Sequence, residues 1–325
     1  MATRRLKNTT ILAKVGVTYG TDVVPTGGAN AILVSDVSFT PLEASNVDRN
    51  NIRTYMGASE NLVGTASKSI SFSVEMVGSG TAGVAPAWGP LLRACGFAET
   101  LTAVTRVDYL PISASFEWVD LYCYYDGAHH KLLGCRGTAT LDFSSGAIPK
   151  IKFSFKGVDG GNAAAAPTGV DYSTWMTPQV VTDTNTADML LGCTHSSSGA
   201  PALAAGTSYP YSKFSLDLGI DAPFIPLIGQ ESVEIMDRKI TGDLELDLTA
   251  AQDVTFMTTV KANTLQSLGL VHGTVATKKT LIFCPNVQIT TPGYGDLSGK
   301  LMNNYKLVVP PTGTGNNELR IVTSF

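Results

Sequence analysis

Three stretches of the first half alternate apolar and polar residues one for one. Ile70, Phe72, Val74 and Met76 alternate with Ser69, Ser71, Ser73 and Glu75. Ala139, Leu141 and Phe143 alternate with Thr138, Thr140 and Asp142, and Ile151, Phe153 and Phe155 with Lys150, Lys152 and Lys156. Successive side chains of a strand point to opposite faces. This period therefore predicts sheet with one face in a core and the other in water. Asp126-Gly127, inside YYDGAHH, predicts a two-residue hairpin turn, and Ser145, Gly146 and Pro149 mark another. Helical spacing is carried by Trp88, Leu91 and Leu92 at about 86–95, and by Phe256 and Val260 at about 251–262.

The order of these elements recurs. FSLDLGI at 214–220 resembles VSDVSF at 34–39. Leu244, Leu246 and Leu248 alternate with Asp243, Glu245 and Asp247. Each such strand follows a long polar connection, Thr40–Ser67 in one half and Asp221–Lys239 in the other, and each precedes a short helix. Cys135 and Cys284 stand near a late strand of either half. A repeat of about 170 residues predicts a duplicated domain. Residues 1–30, with many Thr and Gly and little periodicity, read as an N-terminal arm outside the core. Residues 31–160 read as the first domain and 161–325 as the second. The small-residue stretches within 158–212 read as a flexible linker region.

Composition narrows the class. Of 325 residues, 44% are hydrophobic and 15% charged, a balance that favours a packed core over disorder. A net charge of −4 opposes a protein built to grip a phosphate backbone, though not a surface that nucleic acid slides past. Five scattered cysteines point to a reducing compartment. MATRRLKN is not followed by an apolar segment of signal-peptide length, and no run reaches the roughly 18 apolar residues of a membrane span. The expectation is a chain made in a cytosol-like environment, with no membrane partner.

Candidate chemistry is sparse. Gly78, Gly80 and Gly83 stand in the order G-x-G-x-x-G, but Pro86 puts the helix start after the motif, and the second half makes the same strand-to-helix step without the triplet. The glycines read as a loop device. Cys123, His129, His130 and Cys135 lack a known zinc spacing, and His195 and His272 have no nucleophile motif nearby. No catalytic, cofactor-binding or metal residue is assigned, and an enzyme is not expected. The connection Thr40–Ser67, with Glu43, Asp48, Arg49, Arg53, Tyr55 and Glu60, reads as a long irregular loop that contacts a partner.

ILVSDVSFTPLEASNVDRNNIRTYMGASENL, VEMVGSGTAGVAPAWGPLLRACGFAET, HKLLGCRGTATLDFSSGAIPKIKFSFKG, MDRKITGDLELDL and TPGYGDLSGK together resemble the major tail tube proteins of bacteriophages with long non-contractile tails, the siphophages. The likeness runs from about Ala31 to the C-terminus and departs at 1–30 and 158–212. It implies a mainly β fold of two tandem β-sandwich or split-barrel domains, each with one short flanking α-helix. It implies that neighbours join sheets edge to edge into rings that stack as a tail tube, the conduit for genome delivery. The duplication then suggests homotrimer rings with pseudo-sixfold symmetry. The implied partners are further copies of the chain, a tape measure protein, and tail terminator and distal tail proteins. Double-stranded DNA would pass without specific binding, and no cofactor is implied. The place would be the virion tail, assembled in host bacterial cytoplasm. On this reading the 40–67 loop contacts the next ring, with Arg49 and Arg53 facing its acids. Ser71, Ser73, Glu75, Asp217, Asp243, Glu245 and Asp247 become candidates for an acidic bore. The alternative is another self-assembling virion component, a capsid decoration or tail-end adaptor protein.

Overall fold

The computed structural model describes residues 3–196 and 199–325. The first half runs β1 (Thr9–Val15), β2 (Ser35–Asp48), β3 (Asn61–Glu75), α1 (Gly89–Arg93), β4 (Phe97–Thr102), β5 (Arg106–Pro111), β6 (Val119–Tyr125), β7 (Ala128–Ser144) and β8 (Lys150–Ala164). The second runs β9 (Tyr211–Asp217), β10 (Phe224–Leu227), β11 (Gln230–Val233), β12 (Thr241–Leu246), α2 (Ala250–Lys261), β13 (Leu265–His272), β14 (Thr280–Leu297), β15 (Lys300–Val308) and β16 (Arg320–Thr323). The fold is mainly β, and its sheets do not close into a barrel.

One order of pairing occurs twice, antiparallel throughout. It is β2–β3–β8–β7–β6 in the first half and β9–β12–β15–β14–β13 in the second. A helix follows β3 and β12 alike, and the β4–β5 hairpin is extra to the first half. β9 pairs with β7 along Thr140–Ser144, so the two sets share one sheet.

The register explains the alternation. Val74, Ile151, Leu141, Leu216, Gly242, Leu307 and Ile289 are successive cross-strand partners from β3 to β14. Every one is buried. A Cβ on Gly242 would sit 2.5 Å from the Ser215 carbonyl oxygen, so the row needs glycine there. Phe72, Phe153 and Phe155 pack on the same face, with the rings of Phe153 and Phe155 stacked at 5.6 Å. Burying each such side chain contributes about 1.5–3 kcal/mol. The helices close the core from the flank. Thr249 opens α2 with a capping box: its backbone N–H donates to Gln252 Oε1 at 2.8 Å, and Phe256 packs on Tyr305 and Tyr209. α1 is shorter than the expected 86–95: Pro90 occupies its first turn, and Gly96 at φ +74° ends it. Asp126 and Gly127 take φ +44° and +88°, the left-handed pair of the expected hairpin turn.

Two readings from the sequence need correction. Residues 1–30 are not all outside the core. β1 pairs with β6 from Thr9↔Tyr125 to Val15↔Val119, and Ile11, Leu12 and Ala13 are buried. Both faces of this strand are covered, so TTILAKV shows no clean alternation. Nor is 158–212 a free linker. β8 continues to Ala164, Met189–Leu191 pairs with β13 and with Thr207–Tyr209, and Val181, Met189 and Leu191 are buried. Two of its glycines sit at close contacts: a Cβ on Gly160 would lie 2.8 Å from Leu133 Cγ, and one on Gly206 2.9 Å from the Leu191 carbonyl oxygen.

A charge is fixed where β3 leaves the sheet. Lys68 is fully buried and forms an ion pair with Asp159 of β8. Its ammonium also donates to Asn162 Oδ1 at 2.8 Å and to the carbonyls of Gly161 and Lys131 at 3.1 and 3.2 Å. Burial alone would push the Asp159 carboxyl up, but the Lys68 ammonium and the Gly161 N–H together offset it and the net direction is down. Removing one partner of a buried pair leaves the other uncompensated. Asp159→Ala is therefore expected to cost about 3 kcal/mol, read as a lowered urea midpoint at unchanged slope; a midpoint equal to wild type would show that the pair contributes nothing.

Candidate assembly surfaces

Thr40–Ser67 is not an irregular loop. β2 and β3 stay paired out to Asp48↔Asn61, so only residues 49–60 connect them. β3 pairs with β8 only from Ser67 to Glu75, so the outer part of the hairpin extends beyond the sheet. Both its faces are wet, which is why it carries no one-sided alternation. Leu42, Val47, Leu62 and Val63 are exposed along it, and Ile52, Tyr55 and Met56 at its end; Ile52 and Met56 are as open as in an extended chain. Contiguous exposed apolar surface marks an interaction site.

The six residues singled out here all lie on this hairpin. Arg49 pairs with Glu60 of its own loop instead of standing free for a neighbour. The Arg53 guanidinium lies 5.8 Å from the Tyr55 ring centre. Glu43 accepts a hydrogen bond from the Ser69 hydroxyl and pairs with Lys156 at 3.3 Å. The Ser69 hydroxyl and then the Lys156 ammonium hold its carboxyl below the usual range. Asp48 is exposed at the end of β2.

The matching connection of the second half behaves differently. Its hairpin, β10–β11, folds back over β8 and β7. Val233 is buried, its carbonyl accepts from Arg136 Nη1 at 2.8 Å, and its N–H donates to the Tyr19 hydroxyl at 2.7 Å. Arg136 also pairs with Glu234 at 2.5 Å. Gly219 makes the bend at φ +55°, where a Cβ would lie 2.1 Å from the Lys239 carbonyl oxygen.

Opposite the core, the sheet presents a polar face shared by both halves. Glu75, Lys150, Asp142, Ser215, Asp243, Lys306 and Thr290 are successive partners across it; Ser73, Lys152, Thr140, Asp217 and Thr241 form the adjoining row. Ser71 lies one step further along β3, and Glu245 one step along β12 between Lys213 and Asn304. Asp247 follows just after β12 and pairs with Lys300. The structure thus gathers all seven candidates on one surface but corrects its charge. Lysines alternate with the acids: Lys306 meets Asp243 at 2.5 Å, and Lys150 meets Asp36 at 3.0 Å. Glu245 is held by the Ser212 hydroxyl, and Asp217 accepts from the Gly219 N–H at 3.0 Å. Ser73 is buried. Each lysine was visible in the sequence; which acid it would face was not, because that depends on register.

Each repeated strand set leaves an edge open. β2 pairs with β3 alone. On β14, Gln288 faces Leu265 of β13 on one side and Val308 of β15 on the other, and beyond it residues 289–297 keep only β15. In β7 the corresponding stretch, Thr140–Ser144, is filled by β9.

The other candidates are structural. The N–H groups of Gly78, Gly80 and Gly83 donate to the carbonyls of Lys278, Thr277 and Ser324. A Cβ on Gly78 would lie 2.4 Å from Thr277 O, so the triplet lets this loop pass close to the second half. Cys123 and Cys135 are in the core, His129 stacks on Tyr124, and His130 bonds Asn162 at 2.8 Å. His272 lies between Thr186 and Gln179, and His195 rests on Phe283.

An open-edged sheet with an apolar hairpin extending from it is the form of a self-associating structural protein. The phage tail tube protein family model matches residues 7–299, and the chain belongs to that family. No curated protein matches it.

Proposed function

We propose that this chain is the repeating subunit of a siphophage tail tube: stacked rings around a bore through which the genome is delivered. The observation that carries this is the joint between β7 and β9. Inside the chain, the second strand set adds to the first at the Thr140–Ser144 edge. The second set has the corresponding edge at 289–297, and the first has the counterpart of β9 in β2. The same joint made between chains, β14 of one copy to β2 of the next, is a heterologous contact that returns on itself as a ring. Two repeats per chain, 31–160 with β1 added and 161–325, make three chains a six-part ring. Closure also protects edges that would otherwise aggregate.

The polar face then lines the bore, with Ser71, Glu75, Asp217, Asp243, Glu245 and Asp247 on it and Ser73 buried beneath them. Its acids keep the lysines from gripping phosphate, so duplex DNA slides past without specific contact. The projecting hairpin joins ring to ring. A tape measure protein inside the bore, and terminator and distal tail proteins at the ends, complete a virion tail assembled in the host cytoplasm. The five buried thiols suit that reducing site.

Deleting residues 45–60 is expected to leave folded subunits that no longer polymerise; electron micrographs showing tubes of normal length would refute the role of the hairpin. Glu245→Lys with Asp247→Lys turns part of the wall basic. Tails carrying both changes are expected to assemble and to eject DNA several-fold more slowly in a single-particle ejection assay. Unchanged ejection from intact tails would remove these residues from the lining.

A further inference from the structure

We infer that the tip of the projecting hairpin seats on the β14–β15 turn of the copy in the adjoining ring, next to that copy's α2. This rests on the stacking reading above and names the receiving surface.

The two surfaces lie at opposite ends of one sheet. β3 runs from the hairpin at Asn61 to Glu75, whose row continues through Asp243 to Thr290. The β14–β15 turn lies further the same way, past Glu245↔Asn304 to Leu297↔Lys300. Copies stacked in one orientation bring the tip of each to the turn of the next, and a contact between unlike surfaces propagates without limit along the axis.

Their chemistry is complementary. The tip offers Ile52, Tyr55 and Met56 with the cation Arg53, which has no ion-pair partner among the described residues. The turn offers exposed Tyr294 and Leu301 with the exposed carboxylate of Asp296. Tyr294↔Asn303 and Asp296↔Leu301 are in register two residues apart, so these side chains share one face of the hairpin. The Tyr294 hydroxyl donates to Asp253 of α2 at 2.9 Å, which fixes the ring beside the helix. With Arg49 taken up by Glu60 at the tip and Lys300 by Asp247 at the turn, the cation left over on the first surface is Arg53, and it meets the Asp296 carboxylate of the second. The second half has no rival tip, because β10–β11 is folded back and held by Arg136 and Tyr19. Each ring of three chains therefore makes three such contacts.

The test is Met56→Cys combined with Leu301→Cys in the full chain; its five native cysteines are all buried, which keeps the background low. Assembled tubes treated with oxidised glutathione are expected to give a ladder of disulfide-linked chains, absent with either cysteine alone and in unassembled protein. Tubes that form but give no ladder overturn this contact and leave the tube function standing; a chain that never stacks overturns both. A charge exchange gives a second readout. Arg53→Asp is expected to raise the concentration needed for polymerisation at least tenfold, and Arg53→Asp with Asp296→Arg to restore most of it. No restoration would contradict the pairing.

Discussion

An unpaired row of backbone N–H and C=O groups at the margin of a sheet is a demand that something must meet. Between the two strand sets that demand is met from within, where β9 lies along Thr140–Ser144; at the outer margins of the sets it is left open, along β2 and along residues 289–297. The rest of the architecture follows. The long strands β7 and β14 each carry a closed stretch, covered by β6 or β13, and a second stretch set aside for a joint. One joint is internal, and on the reading proposed here the other is between chains. A single backbone geometry then serves both, and the ring wall is one sheet broken only by covalent connectivity.

The two faces of that sheet do separate work. Phe72, Phe153, Leu141, Leu216 and Leu307 hold the halves together through one buried layer, while the opposite face is mostly polar. Some of its acids and lysines pair across the strands, as Lys306 does with Asp243 and Lys150 with Asp36. Exposed pairs of this kind add little stability, typically under ~1 kcal/mol each. On the reading proposed here their consequence lies in the field they present: a wall on which acids are interspersed with lysines attracts a passing phosphate chain weakly. The asymmetry between the hairpins has a similar logic. Arg136 and Tyr19 convert one hairpin into a clamp between the halves, while the other keeps Ile52 and Met56 in water. An exposed apolar surface of this kind marks an interaction site.

Much of this was legible from residue order. Period-two alternation located β3, β7, β8 and β12, because each has one dry face and one wet face. Asp126-Gly127 fixed its turn for a local reason, the left-handed backbone both residues adopt. The strands that escaped notice are those for which the two faces are alike. β1 is buried on both sides; the outer hairpin is wet on both sides. Neither leaves an alternating trace. The repeat was visible in element order, yet the insertion at 158–212 looked like a linker because glycine and alanine serve close packing as readily as flexibility. The seven polar candidates fall along one face of the sheet, but their lysine neighbours come from strands distant in sequence. Register alone brings Lys306 to Asp243 and Lys150 between Glu75 and Asp142.

The account stands on the claim that one strand joint is used both within and between chains. A projection of assembled tubes down their axis, at a resolution that separates strands, tests it most directly. It is expected to show six similar sectors per ring built from three chains, with sheet continuous across every sector boundary. Rings of any other chain number, or sector boundaries at which β2 and residues 289–297 remain unpaired, would contradict it.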